Sequence, residues 1–204
     1  MTHPRIAVLV SGGGRSLENL QELIQAGKLE VEIGLVISDR PAVFALERAE
    51  RLGIPNLVVP RCDYDSHEAY SNAVFGAIEE VGLDQTKPPI TLVVLAGFLR
   101  LLLIAPGWSG RVINIHPALL PAFGGKGYFG DHVHRAVLER GVQVTGCTVH
   151  YVDDIYDNGK VLLQRWIPVP KGIDSHGLGD LVFAEETLAL PEAIRLHFSK
   201  VQPI

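Results

Sequence analysis

Cysteine is scarce: Cys62 and Cys147 are the only two in 204 residues. Two thiols are too few for a disulfide framework, and both are read as reduced. No apolar run approaches the roughly 18–20 residues that cross a bilayer. The opening MTHPRIAVLVSGGG is apolar too briefly to be a signal peptide. The expectation is a cytoplasmic protein with no membrane partner. Basic excess is missing as well. The formal net charge is −5, with acids and bases scattered, so the footprint of a nucleic-acid binder is absent and any anionic ligand must be caught locally. There are no internal repeats, low-complexity tracts or linkers rich in Pro, Gly or Ser, and the length suits a single domain over residues 1–204.

What is present is a globular composition, 47% hydrophobic and 20% charged. Short runs rich in β-branched residues recur at Ile6–Val10, Val31–Ile37, Leu57–Val59, Ile90–Leu95, Val112–Ile115, Val144–Val152 and Val161–Val169. They alternate with helical patterns at Leu17–Ala26, Val43–Leu52, His67–Val81 and Asp131–Arg140, and a last one spans about Ser175–Phe198. This rhythm predicts an α/β fold of βαβ units around a mostly parallel sheet flanked by helices. The last two runs are joined only by DDIYDNGK, which predicts an antiparallel C-terminal strand pair. Ser16, Ser66 and Asp174-Ser175 are N-cap types, and Pro191 is expected to break or restart the final helix.

The first strand-to-helix turn reads SGGGRS. Its glycines allow a tight turn and close backbone approach, and the amides opening the next helix offer a phosphate site, to which Arg15 adds charge. A purely structural turn is the alternative. The turn has neither the Lys-Ser/Thr pair of a Walker loop nor the third glycine of a dinucleotide fingerprint, since Leu17 stands there. Asp39, ending the second strand, leaves a ribose-binding reading open. The stretch AFGGKGYFG, residues 122–130, is read as a mobile loop beside a site, or as plain surface.

Eight histidines raise the question of a metal, through Cys147-x-x-His150 and His132-x-His134. The reading is no metal, because Cys147 and His150 fall on opposite faces of a strand and no second ligand pair accompanies them. His132 and His134 are expected to face solvent or a ligand. Asn114 and His116 stand apart. Two residues apart on a strand, they share a face, and His116 ends the strand where ligand crevices of open α/β sheets form. The loop DDIYDNG supplies Asp153, Asp154 and Asp157, and a carboxylate bonded to the imidazole would orient it and raise its pKa.

These residues, with SGGGRSLENL, VVLAGFLRLL, NIHPALLP, GCTVHYVDDIYDNGKVLLQ and EETLALP, resemble the N10-formyltetrahydrofolate-dependent formyltransferases, and within that family the glycinamide ribonucleotide branch. The relatives that formylate methionyl-tRNA or hydrolyse formyl-folate carry an extra domain for which 204 residues leave no room. The resemblance implies the family's Rossmann-like formyltransferase fold as one formyltransferase domain. It makes Asn114, His116 and Asp157 the catalytic set and Gly13, Gly14, Arg15 and Ser16 the phosphate loop. Glu186 would meet the ribose or amine. Leu99, Arg100, Leu101, Leu102, Val152, Asp153 and Asp154 would bind folate. The implied co-substrate is 10-formyltetrahydrofolate, with glycinamide ribonucleotide as acceptor and no metal; a homodimer is left open. In the implied chemistry the amine attacks the formyl carbon directly. Asn114 and a protonated His116 meet the oxyanion, and Asp157 keeps His116 charged. The chain departs from the family pattern at Arg15-Ser16, at Lys160 in place of a proline, and at His67 in place of an arginine. Transfer to another small amine, or a nucleotide-binding homologue without activity, are the rival readings.

Overall fold

A computed structural model describes residues 3–83 and 86–199. The chain forms two compact units, Met1–Ile113 and Asn114–Ile204. In the first unit, strands β1 (Arg5–Val10), β2 (Glu32–Ser38), β3 (Asn56–Val58) and β4 (Ile90–Leu95) alternate with helices α1 (Arg15–Gln25), α2 (Phe44–Arg51) and α3 (His67–Val81). The strands lie in the order β3-β2-β1-β4. The pairs β1/β2, β1/β4 and β2/β3 are parallel. β1 is buried along its whole length, and β2 and β4 along nearly all of theirs. Their unbroken apolar runs therefore reflect burial on both faces.

Because the chain moves from β1 to β2 and β3 on one side and then crosses to β4 on the other, the direction of winding reverses between β1 and β4. Ligands of open α/β sheets gather beyond the carboxyl ends of strands at such a reversal. SGGGRS follows β1 and GFLRLL follows β4, so both predicted binding stretches stand there. Trp108 closes this unit from inside. It is buried, its ring stacks on Phe75 at 5.4 Å, and its indole N–H donates to Glu79 at 3.0 Å.

β5 (Val112–His116) enters the second unit at Asn114 and is followed by α4 (Asp131–Arg140), β6 (Val144–Tyr151), β7 (Val161–Pro168) and α5 (Ser175–Ser199). β6 lies between β5 and β7, and the β6/β7 pair is antiparallel, as the short DDIYDNGK connection predicts. Gly146 is obligatory in that pair, since a Cβ there would lie 1.9 Å from the Arg165 carbonyl oxygen. α5 packs on β6, β7 and α4. Trp166 projects from β7 with 67% of its surface exposed.

Two expectations about helix ends are corrected. Ser16 is not the cap of α1: the helix starts at Arg15, and Gly14 takes the cap position in the left-handed conformation, φ 72°. Pro191 does not interrupt α5, which runs unbroken through it. Pro191 is itself buried with Ala189, Leu190, Ala193 and Ile194, and this packing offsets the missing amide donor. Ser66 and Asp174 do cap their helices, accepting from Ala69 N–H at 3.0 Å and Gly177 N–H at 2.8 Å. Among the described residues no helix is long and apolar enough to cross a membrane.

Candidate active site

In the second unit the segment after β5 is fixed by Thr148 of β6. Its buried hydroxyl donates to the Ala118 carbonyl at 2.7 Å and accepts from Leu120 N–H at 3.0 Å. Gln164 of β7 adds a bond to the Leu120 carbonyl at 3.0 Å. The segment after β5 is thereby tied to β6 and β7, and His116, at the end of β5, is 3% exposed.

Asp157 reaches this strand end from the β6–β7 connection. Its Oδ2 lies 3.5 Å from His116 Nδ1 and accepts the Gly125 N–H at 2.8 Å; its Oδ1 accepts from Asn114 Nδ2 at 3.3 Å. Asp157 sits in the left-handed backbone region, φ 53°, a conformation that aspartate tolerates better than most side chains. The loop that presents it is tied by Asp153, which accepts from Ile155 N–H at 2.9 Å and from Asn158 Nδ2 at 2.8 Å. It is also tied by Gly159, where a Cβ would lie 1.8 Å from the Tyr151 carbonyl oxygen. Of the three candidate carboxylates, Asp157 is the one in contact with the imidazole, and Asp153 is spent on shaping the loop.

His116 Nε2 stands 2.8 Å from the Phe123 carbonyl oxygen and so carries the hydrogen of that bond. Burial pulls the ring's pKa down and outweighs the Asp157 carboxylate and the Phe123 carbonyl, which pull it up; the net direction is below the ordinary imidazole value. Asp157 does pull the ring's pKa up, as expected of a carboxylate beside an imidazole, but desolvation of the ring outweighs it. Asp157 goes the other way from burial. Burial alone would raise its pKa, but His150, His116 and the Gly125 amide hold the carboxyl below the ordinary aspartate value.

His150 belongs to the site, although its sequence position beside Cys147 pointed only to a metal pair. Its Nδ1 donates to the Tyr151 carbonyl at 2.9 Å, which leaves Nε2 to accept from Asn114 Nδ2 at 3.1 Å. The Asn114 amide is thus aimed by two partners. The signal in the sequence was the polar His150 in an otherwise buried strand. Gly124, in the 122–130 loop, is also part of the site's architecture: a Cβ there would lie 2.4 Å from Leu120 Cδ2 and 3.2 Å from Asp157 Cβ.

Cys147 is buried, and burial first, then Glu186 and Glu185, push its thiol up to about 12, which removes it as a thiolate ligand or nucleophile. Glu186 is half-buried beside it on α5. Val152 is half-buried and Asp154 exposed. His134 does not face solvent. It is 7% exposed, packs against Gly179 of α5 and leaves Nδ1 without a hydrogen-bond partner, while His132 is exposed against the edge of Phe129.

In the first unit the predicted phosphate loop and folate segment meet. Ser11 N–H donates to the Gly97 carbonyl at 3.1 Å, and Ser11 Oγ accepts Leu99 N–H at 3.0 Å. Gly13 and Arg15 are exposed, and Gly14 and Ser16 half-exposed. Leu99 is exposed and Leu101 half-buried, but Leu102 is 1% exposed, which leaves only its backbone to meet a ligand. Arg100 Nε lies 2.6 Å from Asp39 Oδ2. Asp39 is buried and engaged by Arg100 and, at 3.5 Å, by Arg40, so the ribose-binding reading of Asp39 is withdrawn.

Residues 4–194 match the formyl transferase family. The chain belongs to that family. Its fold is that of glycinamide ribonucleotide transformylase 1 from Symbiobacterium toebii, at 36% identity and a TM-score of 0.87 over 99% of this chain and 91% of that one. The phosphoribosylglycinamide formyltransferase of Brucella melitensis is also 36% identical, with a TM-score of 0.80 over 100% and 98% of the two chains. Among curated relatives, the trifunctional purine biosynthetic protein adenosine-3 of Gallus gallus is 38% identical over 94% of this chain. This formyl transferase spans only 18% of that relative's length. It covers 61% of the chloroplastic phosphoribosylglycinamide formyltransferase of Arabidopsis thaliana, at 35% identity.

Proposed function

We propose that the protein transfers a formyl group from 10-formyltetrahydrofolate to the amine of glycinamide ribonucleotide, with residues 1–204 acting as one formyltransferase domain. The observation that carries this reading is the convergence of Asp157 on both Asn114 and His116, at 3.3 and 3.5 Å. The names of the relatives in the family supply the substrate class.

The acceptor amine, once deprotonated, is a sufficient nucleophile, so the reaction needs no covalent enzyme intermediate. Attack on the formyl carbon places negative charge on its oxygen and positive charge on the attacking nitrogen. Asn114 donates to that oxygen; its bond to Asp157 is the longer of its two and is the one exchanged for the oxyanion. One such donor is typically worth about 3–4 kcal/mol. Neutral His116 takes the proton released by the attacking nitrogen onto Nδ1, becoming an imidazolium paired with Asp157. It then returns the proton to the departing N10, and the C–N10 bond breaks. His116 is thus a proton carrier rather than a fixed charge. Gly13, Gly14, Arg15 and Ser16 hold the phosphate, Glu186 the ribose or amine. Leu99, Arg100 and Leu101, the backbone of Leu102, and the backbone of Val152, Asp153 and Asp154 hold the folate.

The test mixes the purified protein with the formyl-folate and a panel of amines, and follows release of free tetrahydrofolate by absorbance. Turnover with glycinamide ribonucleotide is expected. Turnover only with another amine, or with none, overturns the assignment.

A further inference from the structure

Three successive glycines of SGGGRS are gripped by one helix. Ala45 N–H of α2 donates to the Gly12 carbonyl at 3.1 Å. One turn on, Arg48 Nη1 donates to the Gly13 carbonyl at 2.7 Å. Gly14 rests on Ala45 so closely that a Cβ would fall 2.7 Å from Ala45 Cβ. In a trans peptide the carbonyl of one residue and the amide of the next point in opposite directions. With the Gly12 and Gly13 carbonyls both drawn to α2, the Gly13 and Gly14 N–H groups turn away from it together. Gly14 is left-handed and Arg15 begins the helix, a combination that makes consecutive amides converge on a single point. The Ala45 bond is donated by the backbone and does not depend on a side-chain donor. The Gly13 bond depends on one side chain.

That side chain is itself held. Arg48 Nη2 pairs with Glu18 Oε2 at 3.3 Å, and Glu18 Oε1 is bound by Arg51. Glu18 N–H in turn donates to the Gly14 carbonyl at 3.1 Å, the first bond of α1. The guanidinium bridges the loop carbonyl to the first turn of the helix whose amides follow it, a span that needs two nitrogens in fixed geometry.

We propose that Arg48 is a positioning residue for phosphate recognition: it never touches the ligand, but fixes the Gly13–Gly14 peptide so that its amide faces a phosphomonoester. This inference rests on the reading that Gly13–Ser16 receive the phosphate of the ribonucleotide.

The experiment compares glycinamide ribonucleotide with its dephosphorylated riboside in the wild type, Arg48→Met, Arg48→Lys and Glu18→Gln, reading kcat and KM for each and the melting temperature alongside. In the wild type the nucleotide is preferred. Arg48→Met raises KM for the nucleotide about tenfold or more, leaves KM for the riboside near its wild-type value, and so narrows the preference. Arg48→Lys, which keeps one donor to Gly13, recovers part of it. Glu18→Gln, which keeps the Gly13 bond, loses less than Arg48→Met. An undiminished preference in Arg48→Met overturns the role of Arg48. A wild type without any preference overturns instead the placement of the phosphate at SGGGRS. If Arg48→Met does not fold, the Arg48→Lys preference decides: a value equal to wild type in a protein of equal melting temperature refutes the bridging role.

Discussion

His116 Nε2 donates to the Phe123 carbonyl across 2.8 Å, so the ring's orientation is set by the backbone of a glycine-rich loop and its other nitrogen is left facing Asp157. The loop and the carboxylate together decide which nitrogen of His116 exchanges protons.

Asp157→Asn removes the charge that stabilises a protonated His116 while keeping the shape. We expect kcat to fall about 10²–10⁴-fold and the His116 titration, followed by imidazole NMR, to move further down. A kcat within a few-fold of wild type contradicts the proton-carrier role.

Asn114→Ala removes the amide aimed by His150 and Asp157. Its kcat should fall about 10²–10³-fold, with glycinamide ribonucleotide affinity retained by isothermal titration. His150→Ala leaves the amide with one partner and should lose less than Asn114→Ala, a comparison that measures how much the aiming contributes.

Acid should weaken the fold in two steps. His116, near Asp157 and His150, and His134, near Asp131 and His116, both have depressed values, burial being the main cause. The unfolded chain takes up their protons near pH 6.5 and the folded chain only at lower pH. Stability is therefore full above about pH 6.5 and declines as pH falls towards the folded values. Asp157 is also depressed, so its contribution is present above about pH 4 and is lost as pH falls through its folded value. Melting temperatures between pH 8 and 3 check both steps, and His134→Leu should flatten the first.

Leu102→Ala is expected to cost about 2–5 kcal/mol of stability as a core truncation with little change in KM for the folate. The exposed Leu99→Ala should do the reverse. Urea unfolding and steady-state kinetics separate them.

The strands buried on both faces were legible because nothing but an apolar run satisfies such positions, as β1 and β4 illustrate. The pairing of Asn114 with His116 was legible from the two-residue period alone. His150 was not, because a cross-strand neighbour cannot be identified until the strand order is known, and here β6 lies beside β5. The contributions of Phe123 and Gly125 were hidden for another reason: they act through a carbonyl and an amide, which every residue has. Gly124 was read as a source of flexibility, whereas its lack of a side chain makes room for Leu120 and Asp157. Desolvation of His116 escaped too, since a strand-end residue gives no sign in sequence of being almost wholly covered.

The two tryptophans divide between the two units, Trp108 buried in the first and Trp166 open to water in the second. Emission from Trp108 starts in an apolar setting and shifts to the red when its surroundings melt, whereas Trp166 already emits as a solvated indole and changes little. The wild-type chain thus contains a fluorescent gauge weighted towards its N-terminal half. Set against circular dichroism, which sees α5 and the antiparallel pair as well, it tells whether both halves give way at a single temperature or in sequence.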